Sequence, residues 1–242
     1  MPEATARADA SQEMPLPVPP RGRVTTGDRA LDVALGEGLP FGVLILLEGD
    51  EGAGAVELAF TTLLAAPRDG RRAVFATALR APRRVEAELA TLMGDAAPAL
   101  VDVRELRPRH VAADAAAILH GLGRGDVVVL ESVAAIARAA PEDGPVSILQ
   151  PLADEAHEKG VVVLALHARG TVPPRDEAAV AEVADGILHF TWTADGPTRS
   201  RRLAVRKLRG LAPALDGEQS PVYEVALRRG QGFAASRVRQ LV

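Results

Sequence analysis

The sequence predicts an α/β fold in which a mostly parallel central sheet is flanked by helices. Three observations lead to this prediction. Short runs rich in valine, leucine and isoleucine alternate with alanine-rich helical stretches along the 242 residues. The runs are apolar throughout, which is typical of parallel strands that are buried on both faces. The first strong run also ends in a glycine-rich turn that leads directly into a helical pattern.

The strands and helices follow one another in order along the chain. The six runs predicted as strands are residues 43–47, 73–78, 100–103, 127–130, 161–166 and 187–193. Helical periodicity lies between them at residues 55–65, 83–92, 111–121 and 147–159. Pro151 lies within the last of these and predicts a kink or a restart, because proline lacks the N–H that an inner helical turn needs. With 48% hydrophobic but only 3% aromatic residues, the core must be built mainly from alanine, valine and leucine.

The two ends of the chain differ from this pattern. Residues 1–22 have little hydrophobic periodicity and four prolines between positions 15 and 20, so we expect a disordered or extended lead-in. Near the C-terminus, residues 202–206, 222–227 and 233–237 have the composition of short strands separated by glycine and proline. This predicts an antiparallel edge to the sheet. We therefore expect a single domain over residues 23–242.

Charge and composition exclude several classes of protein. The formal net charge is −4, but residues 199–242 hold ten basic and three acidic side chains, a net +7, which leaves the first 198 residues at −11. The absence of cysteine excludes disulfides, thiol catalysis and a cysteine-based zinc site. None of the five histidines has a partner four residues away, so no metal site is expected. No apolar run approaches the roughly 18 residues of a membrane span, and no apolar signal core is present, so we expect a cytoplasmic protein.

The turn after the first strong strand has the outline of a phosphate-binding P-loop. That pattern needs two glycines five positions apart, followed by lysine and then serine or threonine. Gly49 and Gly54 have this spacing, and Gly52 loosens the turn between them. The next two positions hold Ala55 and Val56, so the lysine for the β- and γ-phosphates and the hydroxyl for magnesium are both missing.

Together with the segments around it, this loop resembles the KaiC-like branch of the RecA-type P-loop ATPases over roughly residues 23–236. The lead-in at residues 23–42 resembles that family's short helix and Gly-Gly-Leu-Pro turn. Residues 126–132 resemble its Walker B strand, with Glu131 in place of the usual aspartate and Ser132 after it. Further matches are the strand that ends at His167, the Ala-Asp-Gly-Ile sequence at 184–187 and the Lys-Leu-Arg-Gly sequence at 207–210.

The departures from the family concern its chemistry. In the family, the second strand ends in two glutamates that polarise the attacking water, and here Leu79 and Arg80 hold those positions. Leucine has no proton acceptor and arginine does not give up its charge, so neither replaces a general base. Losing the lysine and the magnesium hydroxyl would cost roughly 3–6 kcal/mol, at roughly 1.5–3 kcal/mol for each charged hydrogen bond. That is about two to four orders of magnitude in nucleotide affinity.

The leading hypothesis is a catalytically inactive member of this fold that acts as a regulatory or interaction module. The degenerate nucleotide site would comprise Gly49, Gly52, Gly54, Ala55, Val56, Glu131 and Ser132. It would bind no cofactor, or ATP or ADP only weakly. In rings of the family, the basic pair equivalent to Lys207 and Arg209 reaches a neighbour's nucleotide. We expect this pair to be exposed near the sheet edge and to contact another copy or an active relative, with Asp50 and Glu51 in place of phosphate.

Two alternatives remain open at this stage. One is a weak or unconventional ATPase in which the loop backbone and Glu131 suffice. The other is an accessory protein of DNA recombination that uses the basic residues between 199 and 209. Few aromatic residues lie near that cluster, so base stacking has little support and nucleic acid is not the expected partner.

Overall fold

A computed structural model describes residues 22–140, 142–195, 198–209, 222–228, 230 and 232–237. Apart from Gly22, the predicted lead-in lies outside the described residues. The strands are β1 (Arg23–Val24), β2 (Leu39–Pro40), β3 (Val43–Gly49), β4 (Ala73–Thr77), β5 (Asp102–Glu105), β6 (Val127–Glu131), β7 (Val162–Ala168), β8 (Gly186–Asp195), β9 (Thr198–Leu208), β10 (Val222–Arg228) and β11 (Gly232–Arg237). The helices are α1 (Arg29–Ala34), α2 (Ala55–Ala65), α3 (Pro82–Met93), α4 (Val111–His120), α5 (Val133–Ala139), α6 (Val146–Lys159) and α7 (Pro174–Val183).

Nine of the strands form one sheet with the order β11-β10-β9-β8-β3-β7-β6-β4-β5. The six strands from β8 to β5 run parallel to one another, and β9, β10 and β11 extend the sheet by antiparallel pairing. The strand before the glycine turn, β3, is the fifth of the nine and is therefore central. This confirms the predicted parallel sheet with antiparallel C-terminal strands.

The continuous apolar strands are explained by helices on both faces of the sheet. All seven residues of β3 are buried. Because successive side chains of a strand point to opposite faces, Ile45 and Leu47 pack with α2 and α3 on one face. Leu44 and Leu46 pack with α4 and α6 on the other. We call these the α2 face and the α6 face.

The last strand closes the α2 face by meeting elements from the beginning of the chain. The backbone N–H of Phe233 donates to the hydroxyl of Thr61 on α2 at 3.1 Å. The N–H of Ala235 donates to the carboxylate of Asp28 at 3.0 Å. Asp28 is also the N-cap of α1, where its other oxygen accepts from the N–H of Leu31. Strand β11 is thus bonded to both α1 and α2.

Several details differ from the sequence prediction, and among them is the separate pair of strands β1 and β2. Strand β5 starts two residues later than predicted, because residues Ala97–Leu100 form a 3-10 turn. Helix α6 continues through Pro151 as one element and does not restart there. Helices α5 and α7 were not predicted at all.

None of the described helices is long and apolar enough to traverse a bilayer.

Candidate functional site

The glycine turn lies at the carboxyl edge of the parallel sheet, where ligands bind in open α/β folds. Gly49 ends β3 with φ = +151°, and a Cβ there would come within 1.9 Å of the carbonyl oxygen of Phe190. Gly54 is the N-cap of α2 with φ = +118°, and a Cβ there would lie 3.0 Å from a methyl group of Val225. Both glycines are therefore required by close neighbours as well as by backbone conformation.

Strands β8 and β9 form a hairpin that is hydrogen-bonded to the glycine turn at residues 50–52. The backbone N–H of Trp192 donates to the carboxylate of Asp50 at 2.9 Å, and its indole N–H donates to the carbonyl of Glu51 at 3.0 Å. The Nε of Arg201 donates to the carbonyl of Gly52 at 2.8 Å, while its guanidinium carbon lies 4.3 Å from the centroid of the Trp192 ring. Asp50 is exposed, and its carboxylate accepts this hydrogen bond from the hairpin.

The loop is followed by the first turn of α2, where Ala55 and Val56 are half-buried. The helix N-terminus retains backbone N–H groups and a positive dipole end, which attract anions. The two side chains add neither a cation nor an oxygen ligand.

The carboxylate of Glu131, at the end of β6, is already bonded to protein groups. One oxygen lies 2.6 Å from Nη2 of Arg80, and the other accepts from Nε of Arg80 at 3.2 Å and from the hydroxyl of Thr77 at 2.7 Å. The Glu131 side chain is only 8% exposed, and that of Arg80 is 28% exposed. Arg80 also forms an ion pair with Glu88 on α3. Burial alone would lower the pKa of the Arg80 guanidinium, but the two glutamates raise it above its usual value.

These side chains do not fit a magnesium–nucleotide complex. Magnesium takes oxygen ligands in nearly ideal octahedral geometry. Both oxygens of Glu131 face an arginine, and Val56 offers no oxygen. The neighbouring position, Leu79, is 51% exposed and apolar. Within the described residues, no group of three or more histidine or acidic side chains is arranged to hold a metal ion.

Two more of the predicted residues, Ser132 and His167, lie at the carboxyl ends of β6 and β7. Ser132 takes the N-cap position of α5, without a side-chain cap bond. Nε2 of His167, near the end of β7, lies 3.2 Å from the carboxylate of Glu177 on α7. Sequence reasoning missed Glu177, whose signal is its place in an acidic first helical turn after Pro174.

The basic pair lies at the opposite end of the sheet from the loop. Lys207 is half-buried, and its Nζ donates to the carbonyls of Ala181 and Glu182 at the end of α7. Burial lowers the pKa of Lys207, and neighbouring Arg209 adds to this effect. Arg209 is exposed and lies 3.4 Å from Asp185. The expectation that both charges point outward is therefore wrong for Lys207.

Solved structures place this architecture among the RecA-type P-loop folds. The KaiC-like protein PH0186 from the hyperthermophilic archaeon Pyrococcus horikoshii OT3 superposes with a TM-score of 0.72 at 18% identity, over 90% of this chain and 100% of that chain. The flagellar accessory protein FlaH from Methanocaldococcus jannaschii superposes with a TM-score of 0.70 at 15% identity, over 88% of this chain and 98% of that chain. These likenesses confirm the predicted fold.

Within that class, the chain belongs to a family of unknown function (DUF7125), whose sequence model matches residues 23–217. No curated protein matches the chain.

Proposed function

We propose that this chain is a RecA-fold protein that does not hydrolyse ATP and acts as a regulatory or interaction module. One observation carries the proposal. The guanidinium of Arg80 lies against the carboxylate of Glu131, at the position where an active relative would hold magnesium and its water. A fixed positive charge therefore balances Glu131 without metal or nucleotide.

Two further features agree with this function. The lysine and hydroxyl positions of the loop hold Ala55 and Val56. The loop also keeps its shape through contacts with Trp192 and Arg201, which are groups of the protein itself. Such a domain stays ordered without nucleotide and is available as a binding surface. Its cofactor is then none, or ATP or ADP bound only weakly.

The expected partner is a second copy or an active relative of the same fold. Arg209 remains exposed for such a contact, whereas Lys207 is engaged at the end of α7. Exposed charge pairs contribute only about 0–1 kcal/mol each. Apolar contacts must therefore supply most of the interface energy.

Calorimetric titration with Mg-ATP tests the nucleotide half of the proposal. Wild type should show no binding of Mg-ATP at nucleotide concentrations below about 1 mM. The reason is that charged contacts worth roughly 3–6 kcal/mol are missing from its site. The variant that combines Ala55→Lys, Val56→Thr and Arg80→Glu should bind more tightly, since it restores a phosphate cation and frees Glu131. The matched control keeps Arg80 and changes only Ala55 and Val56. Its affinity for Mg-ATP should increase less than that of the triple variant.

A steady-state ATP hydrolysis assay tests the alternative function. Wild-type turnover near 1 s⁻¹, the low end of typical enzymes, that is lost on Glu131→Ala would overturn the proposal and favour the unconventional ATPase.

Sedimentation velocity tests the interaction half. Wild type should self-associate or should associate with an active relative, and Arg209→Glu should weaken that contact more at low salt than at high salt. The substitution of exposed Arg84 by glutamate is the matched control for charge. If the protein remains a monomer with every partner tried, the interaction role fails even if nucleotide binding is absent.

A further inference from the structure

The two edges of the nine-stranded sheet differ in how their backbone groups are bonded. At one edge, N–H groups of β11 donate to Thr61 and Asp28, so α2 and α1 cover that edge. At the other edge β5 is the last strand, and none of the described strands pairs with its outer side. An edge strand of this kind presents unpaired N–H and C=O groups to which a further strand can bond.

The backbone groups that face outward from β5 follow from its pairing with β4. The N–H of Leu106, directly after β5, donates to the carbonyl of Thr77 at the end of β4 at 2.7 Å. Because backbone groups alternate in direction along a strand, those of Arg104 also face β4, whereas those of Val103 and Glu105 face outward. The outward groups have no backbone partner in the described part of the chain.

Two side chains of opposite charge lie on one face of β5. Val103 packs on the α2 face, so its neighbours Asp102 and Arg104 both point to the α6 face. The side chains of Asp102 and Arg104 are 50% and 61% exposed. Nε and Nη2 of Arg104 donate to the two oxygens of Asp102 at 2.8 and 2.7 Å. The N–H groups of Nη1 are not used by this pair, so the arginine can bond a second carboxylate.

The order of these charges favours pairing of β5 with a second copy of itself. Charged residues on an edge strand generally discourage such pairing. When two copies pair antiparallel about a two-fold axis at Val103, however, Asp102 of each copy is opposite Arg104 of the other. Val103 then forms the hydrogen-bonded pair, and the charged residues form the non-hydrogen-bonded pairs, in which side chains are closer. Opposite charges that face each other across two strands are stabilising.

The neighbouring registers of this pairing are unfavourable. A shift of one copy by two residues keeps the outward backbone groups aligned, but it places either Asp102 opposite Asp102 or Arg104 opposite Arg104. Like charges directly opposite each other are destabilising. A shift by one residue places outward backbone groups opposite groups that face away, so the ladder of hydrogen bonds cannot form. The backbone and the side chains therefore select the same register.

We propose that two copies of this chain dimerise through β5, by antiparallel pairing centred on Val103 that joins their two sheets into one. The N–H of Glu105 in each copy then donates to the carbonyl of Val101 in the other. Because each copy uses the same edge, the contact closes as a symmetric dimer and does not extend into a filament. This dimer uses neither the nucleotide site nor Arg209, so it can fail while the proposed function stands, and the reverse.

Disulfide cross-linking tests the register, because the chain has no cysteine of its own. Asp102→Cys and Arg104→Cys are purified separately with tags of different size and are mixed under mild oxidation. In the proposed register these positions are opposite each other with Cα atoms about 4.5 Å apart, which suits a disulfide. The other Asp102–Arg104 pair of the same dimer remains intact.

The disulfide between the two variants should therefore form in preference to the disulfide within either one. Arg84→Cys, at an exposed position on α3, replaces Arg104→Cys in the matched control and should give no preferred product. A statistical mixture of the three products, or no cross-linked product, would contradict the proposed register.

Sedimentation velocity of the full chain measures the contribution of the charges. The Arg209→Glu background separates this dimer from the contact proposed above, and protein concentrations reach about 1 mM because small interfaces are weak. Arg104→Asp should raise the dimer dissociation constant by about tenfold, since it places like charges opposite each other. The exchange of Asp102→Arg with Arg104→Asp restores opposite pairs and should return the constant to within about threefold of its original value.

A proline substitution tests the backbone hydrogen bonds. Glu105→Pro removes an outward N–H, which an edge strand tolerates, and should abolish the dimer, whereas Glu105→Ala should retain it. A chain that stays monomeric at every concentration, as it would if its own residues covered β5, overturns the proposal. It is also overturned if Arg104→Asp changes the dissociation constant by less than about twofold. If Arg209→Glu alone removes all association, this dimer is excluded but the interaction role proposed above is not.

Discussion

The pair formed by Arg80 and Glu131 permits a sharp test through the substitution Arg80→Met. Methionine keeps much of the packing volume but leaves Glu131 without its cation, with only the hydroxyl of Thr77 as a partner. Breaking a fully buried pair by removing one partner costs about 3–5 kcal/mol. The side chain of Arg80 is 28% exposed, so solvent screens part of this interaction and we expect a loss of about 2–3 kcal/mol.

Urea and thermal unfolding measure this loss. For a chain of this size, about 1 kcal/mol corresponds to roughly 2–4 °C, so the melting temperature should fall by about 4–12 °C. The double variant Arg80→Met with Glu131→Gln should be less destabilised than the sum of the single variants. Its glutamine is uncharged and can still bond to Thr77. We expect a coupling energy of about 2 kcal/mol.

Arg84 is the matched control, because it is exposed on the same helix. Arg84→Met should change the free energy of unfolding by no more than about 0.5 kcal/mol. If Arg80→Met is equally mild, or if the coupling energy is below about 0.5 kcal/mol, then Arg80 does not neutralise Glu131 and the central argument for an inactive site is lost.

Two further predictions concern a glycine and a surface ion pair. Gly54→Ala should destabilise the protein by about 1–3 kcal/mol, because it combines φ = +118° with a contact at 3.0 Å, whereas Gly70→Ala, with φ = +69° and open space, should lose less in the same urea titration. The hydrogen bond with Arg107 lowers the pKa of Asp114 from 3.8 to about 2. The stability from this pair is therefore present above about pH 4 and is lost as the pH falls towards 2, so unfolding of Asp114→Asn should depend less on pH there. An equal dependence in both proteins would contradict the assignment.

The sequence predicts the fold well because the strands depend on local composition. The buried strand β3 is apolar at nearly every position, and the helix after Gly54 begins and ends where its periodicity predicts. Helix α5 was missed because its seven residues are too few for an apolar run to reveal helical periodicity. Helix α7 had a usable signal in Pro174 and the acidic residues after it.

The site was predictable only where its features are adjacent along the chain. The glycine spacing and the residues Ala55 and Val56 are read directly from the sequence. The bond between Arg80 and Glu131 joins positions 51 residues apart, and it depends on the pairing of β4 with β6. The partner of His167 likewise depends on how α7 packs. Tertiary contacts of this kind have no local signal.

The last strand, β11, covers the α2 face, so this face of the protein cannot be completed until the end of synthesis. Asp28 and Ala235 are 207 positions apart, and Thr61 and Phe233 are 172 positions apart. Helices α1 and α2 leave the ribosome early but lack these hydrogen bonds until β11 has emerged. Contacts so distant along the chain slow folding, because the entropy of closing the intervening loop is lost before the contact forms. The nascent chain therefore has a long interval in which the apolar surface beneath β11 is uncovered and available to chaperones.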